Sequence, residues 1–174
     1  QHHSATYRLQ IRYACDDLDT LRRRLRDLDR DLDGKLRAHE VGRLLTTIDG
    51  IGTQSAARVI ATVGDPAHFR SGSALAAYVG AVPALKQSGK RQSVRGPHTP
   101  IGNAQLRAAL WMPTLSAVRC NPWLRDYYQR MRARGKLPKV ALLACMHKLL
   151  LAIYSVAKHR RPFVPKLATA APST

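Results

Sequence analysis

Leucines recur at Leu18, Leu21, Leu25, Leu28 and Leu32, alternately three and four residues apart, with arginines and aspartates between them. That spacing lays one apolar stripe along a helix and predicts a heptad seam in a coiled-coil-like arm over residues 1–40. The stripe covers only two to three heptads, so it serves either a second coiled-coil strand or packing on the arm's own domain. Gly34 and Gly42 are expected to weaken the helix where the arm meets the body.

From residue 41 the pattern changes to short helices. Residues 44–64 read as two helices around the turn Ile48-Asp49-Gly50-Ile51-Gly52, the form of a helix-hairpin-helix. Thr53 is the expected cap of its second helix, and Ala56, Ala57, Val59 and Ile60 form the packing face. A short helix over 73–79 follows, capped by Ser71 and closed by Gly80. Between residues 81 and 102, three prolines, three glycines and the cations Lys86, Lys90 and Arg91 leave no helical period. This predicts a long basic loop with room for a short hairpin.

Three helices are expected beyond it, over 103–118, 122–134 and 137–158. Asn121-Pro122, Gly135 and Pro138 supply the breaks and starts, and Pro113 is expected to kink the first helix. Small residues from Pro162 onward predict a disordered tail, its last part being 166–174. The fold class is therefore mainly α: an arm over 1–40, then a compact helical domain over 41–165 whose last helices span 103–159.

Charge sharpens this division. The 174 residues carry 29 Lys+Arg against 11 Asp+Glu, a formal net charge of +18. Residues 1–40 hold eight of the acids and nine of the basic residues, which leaves 20 basic and three acidic residues for 41–174. A surplus of this size points to a polyanionic partner, DNA or RNA. A membrane partner is not expected, because the apolar run 140–156 is interrupted by His147 and Lys148 and reads as a core helix. Cys15, Cys120 and Cys145 form no CxxC pair and no signal peptide opens the chain, so a reducing, cytoplasmic, nucleoid-associated setting is expected. Because the chain begins at Gln1 rather than methionine, it is treated as a candidate fragment.

Two segments carry candidate chemistry. Gly50 and Gly52 allow close approach of a phosphate to the backbone, the helix after Thr53 offers its N-terminal amides, and Arg58 adds a cation. An ordinary helical turn has the same local pattern. In Lys86-Gln87-Ser88-Gly89-Lys90-Arg91, a serine hydroxyl sits among cations that hold a phosphate, the setting for attack on a phosphodiester; a solvated polar loop fits the spacing too.

Divalent-metal chemistry needs converging carboxylates, and after residue 40 only Asp49, Asp65 and Asp126 remain. The histidines His39, His68, His98, His147 and His159 lack metal-ligand spacing, so no metal site is expected in this chain. His147 reads as a helix-surface residue. Trp111, Trp123, Tyr127 and Tyr128 have the helical spacing of core residues, with base stacking as the alternative.

Several separated motifs also occur in a definite order: Ile48-Asp49-Gly50-Ile51-Gly52, Phe69, the run Leu75-Ala76-Ala77-Tyr78-Val79-Gly80-Ala81-Val82-Pro83, Gln87-Ser88-Gly89, Gly102-Asn103 with Leu106-Arg107, Gly135-Lys136 and Lys148-Leu149-Leu150. Over residues 41–165 the chain resembles the C-terminal transposase domain of the Piv-like, bridge-RNA-guided insertion-sequence recombinases, the family that joins a serine to a DEDD nuclease-like domain. The leading helix resembles the coiled-coil arm before that domain. Pro100, Pro113 and His147 depart from the usual pattern.

The resemblance implies DNA transposition by strand exchange, with Ser88 as the nucleophile that becomes covalently joined to DNA. It also implies a guide RNA that chooses the sequence, and divalent metal, Mg, in a separate N-terminal domain. The expected nucleic-acid contacts are Lys86, Lys90, Arg91 and Arg95 in the loop, Gly50, Gly52, Thr53 and Arg58 in the hairpin, and Arg107. A homo-oligomer formed through the arm is expected. The alternatives are a non-catalytic helix-hairpin-helix protein binding DNA or RNA by charge, or an inactive transposase remnant.

Overall fold

The computed structural model describes the backbone of residues 2–88, 91–98 and 102–165, and the side chains of 5–82 and 102–165. Helix α1, His2–Ala38, runs unbroken through Gly34, so the expected weak point does not interrupt it. A glycine costs an isolated helix about 1 kcal/mol. Here i,i+4 ion pairs span it, Lys35 to Asp31 at 2.9 Å and Arg37 to Asp33 at 2.6 Å. Helix α2, Glu40–Leu45, starts at His39, whose Nδ1 accepts from the Gly42 amide at 3.1 Å.

After α2 come α3 (Thr53–Val63), a 3-10 turn (Pro66–His68) and α4 (Gly72–Val79). Ser71 Oγ caps α4 by accepting from Ala74 N at 3.1 Å, and Gly80 ends it in the left-handed conformation. The expected cap of α3 is corrected. Gly52 occupies the cap position and Thr53 is the first helical residue, which frees the Thr53 hydroxyl for another partner.

The basic loop does contain a short hairpin, an antiparallel pair of β1 (Pro83–Ser88) and β2 (Arg91–His98). The register pairs Pro83 with His98, Leu85 with Arg95, Lys86 with Val94 and Ser88 with Arg91, with irregularities between. Beyond it lie α5 (Ala104–Ala109), α6 (Trp111–Cys120), α7 (Pro122–Ala133) and α8 (Pro138–His159). Pro113 therefore kinks nothing. The break falls at Leu110, and Pro113 sits in the first turn of α6, where its missing amide costs no internal bond.

Helix α8 is the spine of the core. It is long and apolar enough to cross a membrane by length and composition, yet Leu142, Met146, Leu149, Leu150 and Ile153 are buried in the domain. It packs against α2, α4, α6 and α7. Around it gather Leu45, Ile48, Val59, Leu75, Val79, Leu106, Leu110 and Leu124, all nearly inaccessible to solvent. Fully burying each such side chain is worth about 1.5–3 kcal/mol.

The start of the expected disordered tail is docked. Arg160 turns the chain in the left-handed region, φ 51°, and its guanidinium pairs with Asp65. Phe163 N then donates to Thr47 Oγ1 at 2.8 Å while the Phe163 ring packs on Trp123, centroids 5.6 Å apart. Residues 166–174 lie outside the described residues.

Candidate nucleic-acid interface

The hairpin leaves the helical body through a narrow neck. The Asn103 amide donates to Tyr78 O at 2.7 Å, and Ala81 N donates to Ala76 O at 2.9 Å. Gly102, at φ 115°, lies so close to Gly80 that a Cβ there would stand 2.6 Å from the Gly80 nitrogen. Arg107 Nη1 donates to Val79 O at 3.0 Å, fixing the end of α4 against α5. His147 Nδ1 lies 3.0 Å from Ala81 O, so this half-buried histidine joins α8 to the neck rather than merely facing solvent. β1 thus starts two residues beyond the Ala81 carbonyl that His147 holds.

Among the expected loop residues, Ser88 is the last paired residue of β1, opposite Arg91, while Lys86 and Arg95 lie farther down the strands. Their side chains, and all of Lys90 and Pro100, lie outside the described residues. Arg107 sits at the neck with one guanidinium nitrogen engaged and others left to donate.

The turn between α2 and α3 separates its two glycines. Gly50, at φ 98°, is pressed against α6, where a Cβ would come within 2.4 Å of Ala117 Cα. Its role is close packing inside the body. Gly52 is exposed with nothing near it, and Arg58 is exposed on α3. The first turn of α3 instead meets the arm: Thr53 Oγ1 donates to Asp33 at 2.8 Å and Gln54 Nε2 to Asp29 at 2.8 Å. Nothing in the local pattern announced this contact between residues 20 and more apart.

Electrostatically the arm and body differ. Among the described residues, the ion pairs are either internal to α1 or made by Arg160. Among the described residues, the exposed cations Arg43, Arg58, Arg70, Arg119, Arg125, Arg130, Arg132, Arg134, Lys139, Lys158 and Arg161 have no carboxylate within 4 Å. Exposed cations without partners raise the potential outside the body, which attracts a polyanion at long range.

Among the described residues no three His, Cys, Asp or Glu side chains gather as a metal site. Asp65, the best placed carboxylate, already serves the Ala67 amide at 2.9 Å and Arg160. Burial pushes its pKa up, but these partners outweigh burial and hold it below the usual carboxylate value. The residues described do not fit a divalent-metal centre of their own. Cys145 is buried in α8, and burial pushes its thiol up to about 12, so it offers no thiolate nucleophile near neutral pH.

One feature of the arm exceeds the sequence expectation. Because α1 is helical from His2, the three-four spacing extends backward from Leu18 through Ala14, Ile11 and Tyr7. Tyr7, Ile11, Leu18, Leu21, Leu25 and Leu28 are all more than half exposed. The short stripe is thus part of a longer seam. Trp123 and Tyr127 are half-buried, and Lys148 Nζ lies over both rings, 5.3 Å and 4.5 Å from their centroids.

A basic helical body carrying a pinned hairpin and a long amphipathic arm defines the class of architecture. Residues 42–129 match the model of the transposase IS116/IS110/IS902 family, and the chain belongs to that family. It is 34% identical over 134 residues to the 43.6 kDa protein of insertion element IS110 from Streptomyces coelicolor, covering 76% of this chain and 33% of that one. It is 35% identical over 121 residues to a pilin gene-inverting protein of Moraxella lacunata, covering 69% and 38%. A probable family 20 transposase of Pseudomonas aeruginosa is 31% identical over 160 residues, covering 87% and 46%. The chain thus spans between a third and a half of the length of these relatives.

Proposed function

We propose that this chain serves DNA transposition as the strand-exchange part of an insertion-sequence recombinase, with Ser88 as nucleophile. The Ser88 hydroxyl oxygen attacks a phosphodiester phosphorus, a serine–phosphate ester forms, and one sugar oxygen leaves with the strand end. The hydroxyl proton passes to a base, and the ester keeps the bond energy for rejoining. Lys86, Lys90, Arg91 and Arg95 hold the phosphate and its developing charge, while Arg107 and the end of the turn at Gly52 and Thr53 contact the DNA backbone.

The observation that carries this reading is the pinned hairpin. A nucleophile needs a fixed approach, and the bonds that the Tyr78, Val79 and Ala81 carbonyls accept hold the residues leading into the strand that ends at Ser88. The unpartnered cations of the described body favour a nucleic-acid substrate. Members of the resembled family divide the work with a separate acidic domain, and we assign divalent metal and guide-RNA pairing to the complete protein on that basis. The exposed seam of α1 supports assembly of two or more chains through the arm.

Ser88→Ala tests the assignment. Covalent protein–DNA adducts should vanish while salt-sensitive DNA binding persists. Adducts that survive the substitution contradict it, and a chain that binds by charge alone would form none in either version.

A further inference from the structure

Away from the hairpin, a cavity of about 730 Å³ opens between α7, α8 and the docked segment 161–164. Leu151 and Val156 give it an apolar floor, and the rings of Trp123 and Phe163 form one wall. Lys148, Arg130 and Arg161 stand on it as cations, against a single carboxylate, Asp126. This volume suits one nucleotide and not a duplex.

The chemistry is two-sided. An inorganic anion would not need an aromatic and aliphatic floor, and an apolar ligand would not need three cations. An unpaired nucleotide uses both, with its base on the rings and its phosphate on the cations. Lys148 is set in place beforehand by the Trp123 and Tyr127 faces beneath its ammonium. Phe163 is set by the hydrogen bond its backbone N–H donates to Thr47 Oγ1 and by the turn at Arg160, itself paired with Asp65.

We infer that this cavity binds an unpaired nucleotide of single-stranded DNA. The choice of DNA rests on the proposed function, because strand exchange leaves unpaired DNA beside the cut.

The test is fluorescence anisotropy of the full chain with a labelled oligo-dT strand and with a duplex of equal length. Phe163→Ala, and separately the exposed pair Arg130→Ala with Arg161→Ala, should each weaken single-strand binding about tenfold. With Phe163→Ala, duplex binding should change less than about threefold, and Phe163→Tyr, which keeps the ring, should restore single-strand binding. Equal losses on both DNAs in Phe163→Ala, or single-strand binding unmoved by it, overturn the inference. Tighter binding of oligo-rU than of oligo-dT overturns DNA as the strand.

Failure of the recombinase reading shows itself elsewhere, in the adduct assay on Ser88. A chain that forms no adduct yet loses single-strand binding on these substitutions keeps the cavity and loses the reaction.

Discussion

The Asp33 carboxylate accepts a hydrogen bond from the Thr53 hydroxyl at 2.8 Å, and Asp29 does the same for Gln54 one residue further on. Two arm carboxylates thus face the first turn of α3, where a helix favours negative charge. They hold the place that the hairpin reading gives to a DNA phosphate. Neutralising both, Asp29→Asn with Asp33→Asn, should raise duplex DNA affinity several-fold at low salt, with a smaller gain at high salt. Binding titrations at two salt concentrations check this. An unchanged affinity would remove the Gly50–Thr53 turn from the interface.

The two glycines of that turn should respond differently. Gly50→Ala drives a Cβ to within 2.4 Å of the α6 backbone at a positive φ, so it should cost about 2–4 kcal/mol and lower the melting midpoint by roughly 10 °C. Gly52→Ala meets open space and should stay within about 1 kcal/mol. Thermal melts compare them, and equal effects would contradict the packing described for Gly50.

The arm predicts self-association. Leu21→Asp with Leu28→Asp places charges in the exposed seam without touching the body, so it should leave the melting of the body unchanged and convert oligomers to monomers. Sedimentation across a concentration range reads the outcome. A chain that is monomeric before substitution refutes assembly through α1.

The Asp65–Arg160 pair sets a pH dependence. The Asp65 pKa is lowered on folding, so its contribution is complete above the unfolded value of about 3.9 and is lost as pH falls through the lower folded value. Asp65→Asn should therefore be less stable than the parent at pH 6, by roughly 1 kcal/mol or less because Arg160 is partly exposed. The difference should shrink below about pH 4. Denaturant midpoints at both pH values measure it, and a constant difference would contradict the pairing.

Which parts were legible follows from the range of the forces involved. Helix starts at Ser71, Asn103 and Asn121 were readable because the capping side chain binds an amide two or three residues away. The break at Leu110 has no glycine or proline to mark it, and Pro113 drew attention to the wrong place. The hairpin was legible only as room within a loop, because Gly96, Pro97 and the irregular register blur any alternation that would fix its strands. Contacts such as Asp33 with Thr53, His147 with Ala81 and Trp123 with Phe163 join residues far apart in sequence, and only the packing of α1, α7 and α8 creates them. The motif around Ser88 was visible from residue types, whereas the neck that steadies it was not.

The central claim is most directly tested by trapping the serine–DNA ester. The protein is incubated with labelled donor DNA, denatured and resolved by size, with Ser88 intact or replaced by alanine. The account predicts a covalent adduct that maps to Ser88 and disappears in Ser88→Ala while DNA binding remains. An adduct of undiminished yield in Ser88→Ala, or one mapped to another residue, would contradict it.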